Sequence, residues 1–419
     1  MPVKSELANA VLEVIQPFPP EHAIERLAAF TARDWRNAYF WLDSHGLTIP
    51  LAGRLRDSTP GLPAEVLARF DCNLGDNAKR SRDMLEHFDA VNRRLESAGV
   101  LFAVQKGFAL CPAYCPDPAL RLQLDLDYLV EAEAALQVSS LLEEFGYQRV
   151  RCTPREWGFE TIPGAVTPHE NTYLPPSSRS LELHFPLSDD LPPIHLKLPH
   201  DVLQRRRWHV VDGTSFPVLD ERDMFLHLVA HALQHFATYS VRLSHLLEIA
   251  HFVRGRHADA RFWSELRQSA ACDPRMGAII GLVISLAATM FPFPVPPALA
   301  GWTVDLLSSS QQEWLVLYAR DWCLRETPGS KVSVLALREF IDRRLWPGHV
   351  RNVLLPIKRP PKVFYQPKGT QRRGARAAQL RLVAGRAAFH LRELVRFSLA
   401  YLRLRGRGPA LQTHLPSYH

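Results

Sequence analysis

Between Leu122 and Val130 the chain alternates with a period of two, and this segment limits the fold more than any other. Leu122, Leu124, Leu126 and Tyr128 fall on one face, and Gln123, Asp125 and Asp127 on the other. That is the pattern of a strand with one apolar and one polar face. The residues before it read QKGFALCPAYCPDPALR, and Leu101–Gln105 makes a second short apolar strand just upstream. Lys106-Gly107 then sits at a strand-to-helix turn, with a helix-like run to Tyr114 and a CPDPAL turn.

Outside this region the apolar spacing is helical. Val66, Phe70, Leu74, Met84, Phe88, Val91 and Leu95 define a helix over Pro63–Gly99, with Gly99 as its stop. Glu131–Phe145 is an amphipathic helix ending at Gly146; Tyr147–Cys152, Glu170–Leu174 and Ser180–Leu187 read as strands. After Pro193 the spacing predicts helices over 221–255, 258–271, 276–291, 308–324 and 331–345. The expected architecture is α+β: a small mixed sheet with helices over 100–190, after an N-terminal helical region (1–99) and before a large helical domain (191–350). A basic linker and tail helix (351–419) follow.

Composition matters at the C-terminus. From Arg351 onward there are 15 basic residues and one acid, Glu393, while the first 350 residues hold 35 basic and 42 acidic ones. The anionic partner is therefore expected at the tail. Ile357–Gly374 reads as a linker, and Ala375–Leu404 as a basic amphipathic helix. Leu380, Val383, Ala387, Leu391, Leu394, Val395 and Leu402 lie on one side, and Arg381, Arg386, Arg392, Arg396 and Arg403 on the other. Three readings fit: a helix docked on the body with a solvated arginine face, a helix on an anionic membrane surface, or a nucleic-acid contact. The longest apolar run, Met276–Phe291, has 16 residues, short of the roughly 20 a membrane span needs. It reads as a buried helix, with a membrane span as the alternative. The N-terminus has no signal-peptide pattern, so a cytoplasmic protein is expected, resting on the inner membrane face if the tail binds lipid. Six cysteines without a CxxC or Cys/His cluster fit a reducing compartment and no structural zinc.

Two carboxylates at i and i+2 on a strand share a face, so Asp125 and Asp127 are both available to one divalent cation. In isolation a solvated strand face explains such a pair better. Lys106-Gly107, about 18 residues earlier at a turn with free backbone N–H groups, adds a place for phosphate. His227, His231 and His235 recur at i+4 and form a stripe. That stripe is a half-buried polar face, a wall of a nucleotide or acceptor site, or a metal site; neither HxxxH pair contains the Glu of a zinc protease. Arg242, His245 and Glu248 on the next helix are placed to pair with it. Tyr128 is expected in the core.

The strand–KG–helix–PDPALR–x₃–D-x-D-x-LV arrangement resembles the DNA polymerase β-like nucleotidyltransferase superfamily. More narrowly, it is similar to an uncharacterised bacterial nucleotidyltransferase family with the pattern LKG…YPDP…RxxGDIDLLV. SLELHFPLS (180–188) and HLVAHALQH…RLSHLLEIAHF resemble that family's later segments, so the likeness spans about 60–330. The resemblance implies a minimal polymerase-β-like core and metal-dependent transfer of a nucleotidyl group from a nucleoside triphosphate, with Mg²⁺ or Mn²⁺ as cofactor. It makes Asp125 and Asp127 the metal pair and Glu182, on an antiparallel neighbour, the third carboxylate. Lys106 and Gly107 would hold the triphosphate at a helix start, Arg121 would neutralise phosphate, and His184 and His231 would line the nucleotide site. There are two departures: Lys106-Gly107 stands where the superfamily has Gly-Ser, a change the narrower family shares, and Leu124 stands where the family has Gly. The acceptor stays open, with polysaccharide or peptide natural-product building blocks among the candidates. So do an RNA- or protein-modifying enzyme of toxin–antitoxin type and an inactive nucleotide-binding scaffold.

Overall fold

The structure is a computed structural model of the chain. It describes residues 5–56, 61–165, 172–185, 190–191, 194–199, 201–238, 241–325, 330–355 and 372–405. The fold is α+β. Seven strands form one mixed sheet: β1 (Phe102–Val104), β2 (Asp125–Val130), β3 (Gln148–Cys152), β4 (Glu156–Glu160), β5 (Ser180–His184), β8 (Arg207–Val211) and β9 (Thr214–Val218). Their order is β3-β4-β5-β2-β1-β9-β8, with β2–β5 and β1–β9 parallel and the other neighbours antiparallel. A separate two-stranded ribbon joins β6 (Asp190–Leu191) to β7 (Ile194–His195).

The 34-residue helix Ala64–Ser97 backs this sheet. Its inward residues recur every three or four positions, from Val66 and Phe70 through Phe88 to Leu95, so one stripe faces the strands. Phe88 is the hub: its ring centroid lies 5.1 Å from Phe108, 6.1 Å from Tyr128 and 4.8 Å from Phe216. Tyr128 is fully buried there, as expected. The apolar face of β2 is thus committed to the long helix, which turns Asp125 and Asp127 to the opposite side.

Several local expectations are corrected. The run after Lys106-Gly107 is one 3₁₀ turn, Gly107–Leu110, and not a helix to Tyr114, because prolines at 112 and 116 remove the backbone donors a helix needs. Of the strand expected at Glu170–Leu174, residues 170–171 lie outside the described residues and 172–174 form a turn; the sheet takes Glu156–Glu160 instead. Lys331–Leu345 shortens to the helix Ser333–Leu337 and a 3₁₀ turn. The stretch after Pro193 is not helical at once, because the β8–β9 hairpin completes the sheet before the first helix, Glu221–Ala237. Asp212 (φ 47°) and Gly213 (φ 80°) form its two-residue turn.

Beyond the hairpin the chain is helical. Met276–Met290 is the buried helix its apolar run predicts, and no helix among the described residues is long and apolar enough to cross a membrane. The tail helix spans Arg372–Arg405, and linker residues 357–371 lie outside the described residues. It docks on the body through Glu393, Phe397 and Ala400, all buried. Glu393 accepts hydrogen bonds from Ser330 Oγ (2.6 Å) and the Lys331 backbone N–H (2.8 Å). The docked face is therefore not the apolar stripe read from the sequence: Leu380, Val383, Leu391, Leu394, Val395 and Leu402 are exposed, as is Leu399 beside them.

Candidate active site

β2 and β5 run side by side in register, with Asp127 opposite Glu182 and Leu129 opposite His184. Opposed residues on neighbouring strands point to the same face, so Asp125, Asp127, Glu182 and His184 share one side of the sheet. The pairing is parallel, which corrects the antiparallel neighbour implied for Glu182; the placement of its carboxylate is the same. The hairpin fixes what covers this face. β9 lies beside β1 and leads through Asp220 into the helix Glu221–Ala237, whose N-terminus the Asp220 side chain caps at the Arg222 N–H. That helix carries His227, His231 and His235 over the acids. With Lys106, Glu182 and His184 these histidines line a cavity of about 390 Å³, a size in the range of small-ligand sites; Asp127 sits behind Lys106 and His184, and neither aspartate is on the cavity lining.

Asp127 is the centre. It is 4% exposed, and its Oδ1 accepts from Lys106 Nζ at 2.7 Å and faces His184 Nε2 at 3.0 Å. Burial opposes its charge, but Lys106 and then the His184 hydrogen bond hold it well below the usual carboxylate range. Lys106 is half-buried and desolvated too, yet Asp127 and Asp125 keep it above the ordinary lysine value. Asp125 has no such direct partner. Burial, and then the neighbouring Asp127 charge, push it up to about 6. Glu182 accepts from Arg151 at 2.6 Å, and Arg151 also pairs with Glu156.

Gly107 stands at φ +63°, where any side chain is strained, and a Cβ there would lie 2.2 Å from Gln123 Nε2. Gln123 uses that nitrogen to donate to the Asp125 carbonyl oxygen at 2.9 Å. Glycine at 107 therefore lets Gln123 fix the backbone of the acid pair. Two side chains of the long helix that the sequence reading passed over complete this support. Arg80, 3% exposed, donates to the carbonyls of Gln123, Thr172 and Leu174, and Asn77, 1% exposed, to those of Ala119 and Arg121. Their signal was present: a polar Asn and Arg at i and i+3 within an otherwise apolar inward stripe. Leu124 is 39% exposed and lies away from the cavity over the acids, beside Met84 and Arg179.

Arg121 is not at this cavity. It pairs with Glu248 of the helix Leu243–Gly255 at 2.8 Å and lines a second, adjacent cavity. The histidine stripe lines the cavity, and ring nitrogens of His231, His235 and His245 lie within 4.8 Å of one another, close enough to hold a metal ion. Burial, and then the Lys106 charge, lower His227 to about 3, His235 to about 4 and His231 well below its ordinary value, so all three are neutral at pH 7. His231 and His235 approach at Nε2–Nε2 3.1 Å, and His245 of the next helix packs against both.

The donor set suits a hard divalent cation. Ligand atoms of Asp127, Glu182 and His184 lie within 4.8 Å of one another, with Asp125 two residues along the same face. Gln105 Oε1, on a residue that lines the cavity, is buried without a hydrogen-bond partner. Lys106 and Arg151 compensate these carboxylates electrostatically, as a cation would. With this geometry in place the comparisons are informative. A family model described as an uncharacterised nucleotidyltransferase matches residues 31–292, well over half of the chain. No curated protein matches.

Proposed function

The chain belongs to this uncharacterised nucleotidyltransferase family, and from that premise we propose that it transfers a nucleotidyl group from a nucleoside triphosphate to a small acceptor at the Asp125–Asp127–Glu182 face. One observation carries the reading: three carboxylates from two parallel strands, Asp127 and Glu182 in direct register, meet Lys106 beside a cavity. Gathering acids on a partly buried face is costly, so a scaffold without chemistry has no use for it.

Asp125, Asp127 and Glu182 would hold Mg²⁺ or Mn²⁺. When bound, the ion stabilises charge developing on the α-phosphate and lowers the pKa of an acceptor hydroxyl. The chain's own groups do the rest. Lys106 offers an ammonium to the phosphates and leaves Asp127 to the ion. Glu182 takes the proton of the acceptor hydroxyl. The neutral histidines His231 and His235 give hydrogen bonds to the nucleotide without adding charge, and buried His227 closes the wall beneath them. The acceptor oxygen joins the α-phosphorus, the α–β anhydride bond breaks, and pyrophosphate leaves. The test is pyrophosphate release from Mg²⁺ and each of ATP, GTP, CTP and UTP in the presence of pooled cell metabolites. Release by wild type and none by Asp127→Asn supports the reading; equal release by both removes it.

We infer that the tail rests on a membrane surface. Leu391, Val395, Leu399 and Leu402 project from the docked helix with Arg392 and Arg403 alongside, all exposed. Exposed leucines edged by arginines suit an anionic lipid surface. Because nucleoside triphosphates are cytoplasmic, the surface is the inner face of the cell membrane.

A further inference from the structure

The larger cavity is the second one. It measures about 740 Å³ and lies between the N-terminal helices, the 112–122 segment and the helix Leu243–Gly255. Four guanidinium groups line it, from Arg54, Arg121, Arg242 and Arg254, against a single carboxylate, Glu248. Glu248 is taken by Arg121. Arg254 lies over the Phe18 ring, and no acid pairs with Arg54 or Arg242 among the described residues. Arg54, Arg242 and Arg254 are exposed and reach solvent, so together they give the mouth of the cavity a positive field that draws an anion.

Two more wall atoms lack partners. Tyr114 Oη and His245 Nδ1 are both buried with no hydrogen bond. Buried polar atoms are rarely left unmet in a finished site. Ile15, Leu120, Leu122 and Leu247 give the cavity apolar walls for a carbon skeleton. The cavity adjoins the first one across the histidine wall. His245, on its wall, has its ring centroid 5.1 Å from those of both His231 and His235, which line the first cavity. Arg121, also on its wall, is four residues before Asp125.

We propose that this cavity is the acceptor site, and that it takes a sugar-sized organic anion whose phosphate or carboxylate is held by Arg54 and Arg242. The proposal rests on the nucleotidyl-transfer reading and names its substrate class. Tyr114 and His245 meet the acceptor's other polar groups. A hydroxyl on its far end is the nucleophile: its oxygen bonds to the α-phosphorus, its proton passes to Glu182, and pyrophosphate departs.

The probe is 8-anilinonaphthalene-1-sulfonate, an anion with an apolar body, titrated by fluorescence into the full chain. The expected result is one site per chain, weakened about tenfold or more in Arg54→Gln and in Arg242→Gln, in line with loss of a charged hydrogen bond. Both variants are checked for native circular dichroism, and Mn²⁺–nucleotide binding serves as an internal control that they keep. Glucose 1-phosphate and glucuronate compete as separate arms. Displacement by the first marks a phosphate acceptor and by the second a carboxylate acceptor, and each supports the proposal. Unchanged probe affinity in both variants, or displacement by neither sugar anion, overturns it. So does displacement by nucleoside triphosphate, which would make the cavity part of the donor site. Asp127→Asn separates the two readings. It is expected to lose nucleotide and keep the probe, so an inactive donor site leaves the anion site standing, and an absent anion site leaves nucleotide binding untouched.

Discussion

Gly107 and Gln123 are packed so closely that a methyl group on Gly107 would lie 2.2 Å from the Gln123 amide nitrogen. This contact joins the Lys-Gly turn to the acid pair, because the same nitrogen donates to the Asp125 carbonyl. Gly107→Ala is expected to cost more than backbone strain alone, about 2 to 4 kcal/mol in urea unfolding, and to abolish nucleotide binding. Gly99 is the control. Its φ is +69° and a Cβ there meets nothing within 4 Å, so Gly99→Ala should cost only about 1 kcal/mol. Equal costs at the two positions would contradict the packing role.

Lys106 compensates a buried carboxylate. Lys106→Met leaves Asp127 facing only His184, and the chain in chelator should lose about 3 kcal/mol. Millimolar Mn²⁺ should return much of that loss, because the ion takes over the same compensation. Thermal unfolding with and without Mn²⁺ reads this directly; a variant that Mn²⁺ does not stabilise would remove the metal from this face.

Asp125 carries a pH signature. Its value rises from the ordinary 3.8 to about 6 in the fold, so ionising it costs stability. The cost is absent below pH 3.8, grows as pH rises, and is complete above about 6. Asp125→Asn in chelator should therefore be more stable than wild type at pH 8, by about 1 to 3 kcal/mol, with the advantage fading towards pH 4. The same shift makes metal binding weaken below pH 6, as the proton competes with the ion. Urea melts at four pH values test the first statement; an advantage that grows as pH falls would reverse the sign.

The tail helix separates two faces that one substitution each can address. Val395→Glu with Leu399→Glu changes only exposed positions and should leave the melting curve unchanged while abolishing sedimentation with phosphatidylglycerol vesicles. Phe397→Ala, on the docked face, should lower the melting temperature instead. Wild-type binding should need anionic lipid and weaken with salt. Retention on RNA without vesicle binding would reassign the surface to nucleic acid.

The acid face was legible because β2 obeys its alternation so strictly. With Tyr128 spent on the core, Asp125 and Asp127 had only one side left. Glu182 was legible by its own strand, but its parallel pairing was not, since registers between distant strands leave no local trace. The β8–β9 hairpin was missed although Asp212-Gly213 between two alternating runs signals it; the long helices that follow dominate the window. Arg121 was expected at phosphate, but its partner Glu248 is 127 residues away, and no spacing rule reaches that far. The tail was legible as a helix, but its apolar residues lie around it and not on one stripe: Leu391, Val395, Leu399 and Leu402 face solvent, while Phe397 and Ala400 face the body. Which side docks follows from Glu393, whose partners Ser330 and Lys331 pull that side inward.

The decisive measurement is calorimetric titration of ATP, GTP, CTP and UTP with Mg²⁺ into wild type and the Asp125→Ala/Asp127→Ala double variant. At least one triphosphate should bind wild type, only when Mg²⁺ is present, and binding should disappear in the double variant while its circular dichroism stays native. Binding that is equal in both proteins, or indifferent to Mg²⁺, would contradict a metal-dependent nucleotidyl-transfer site on this face.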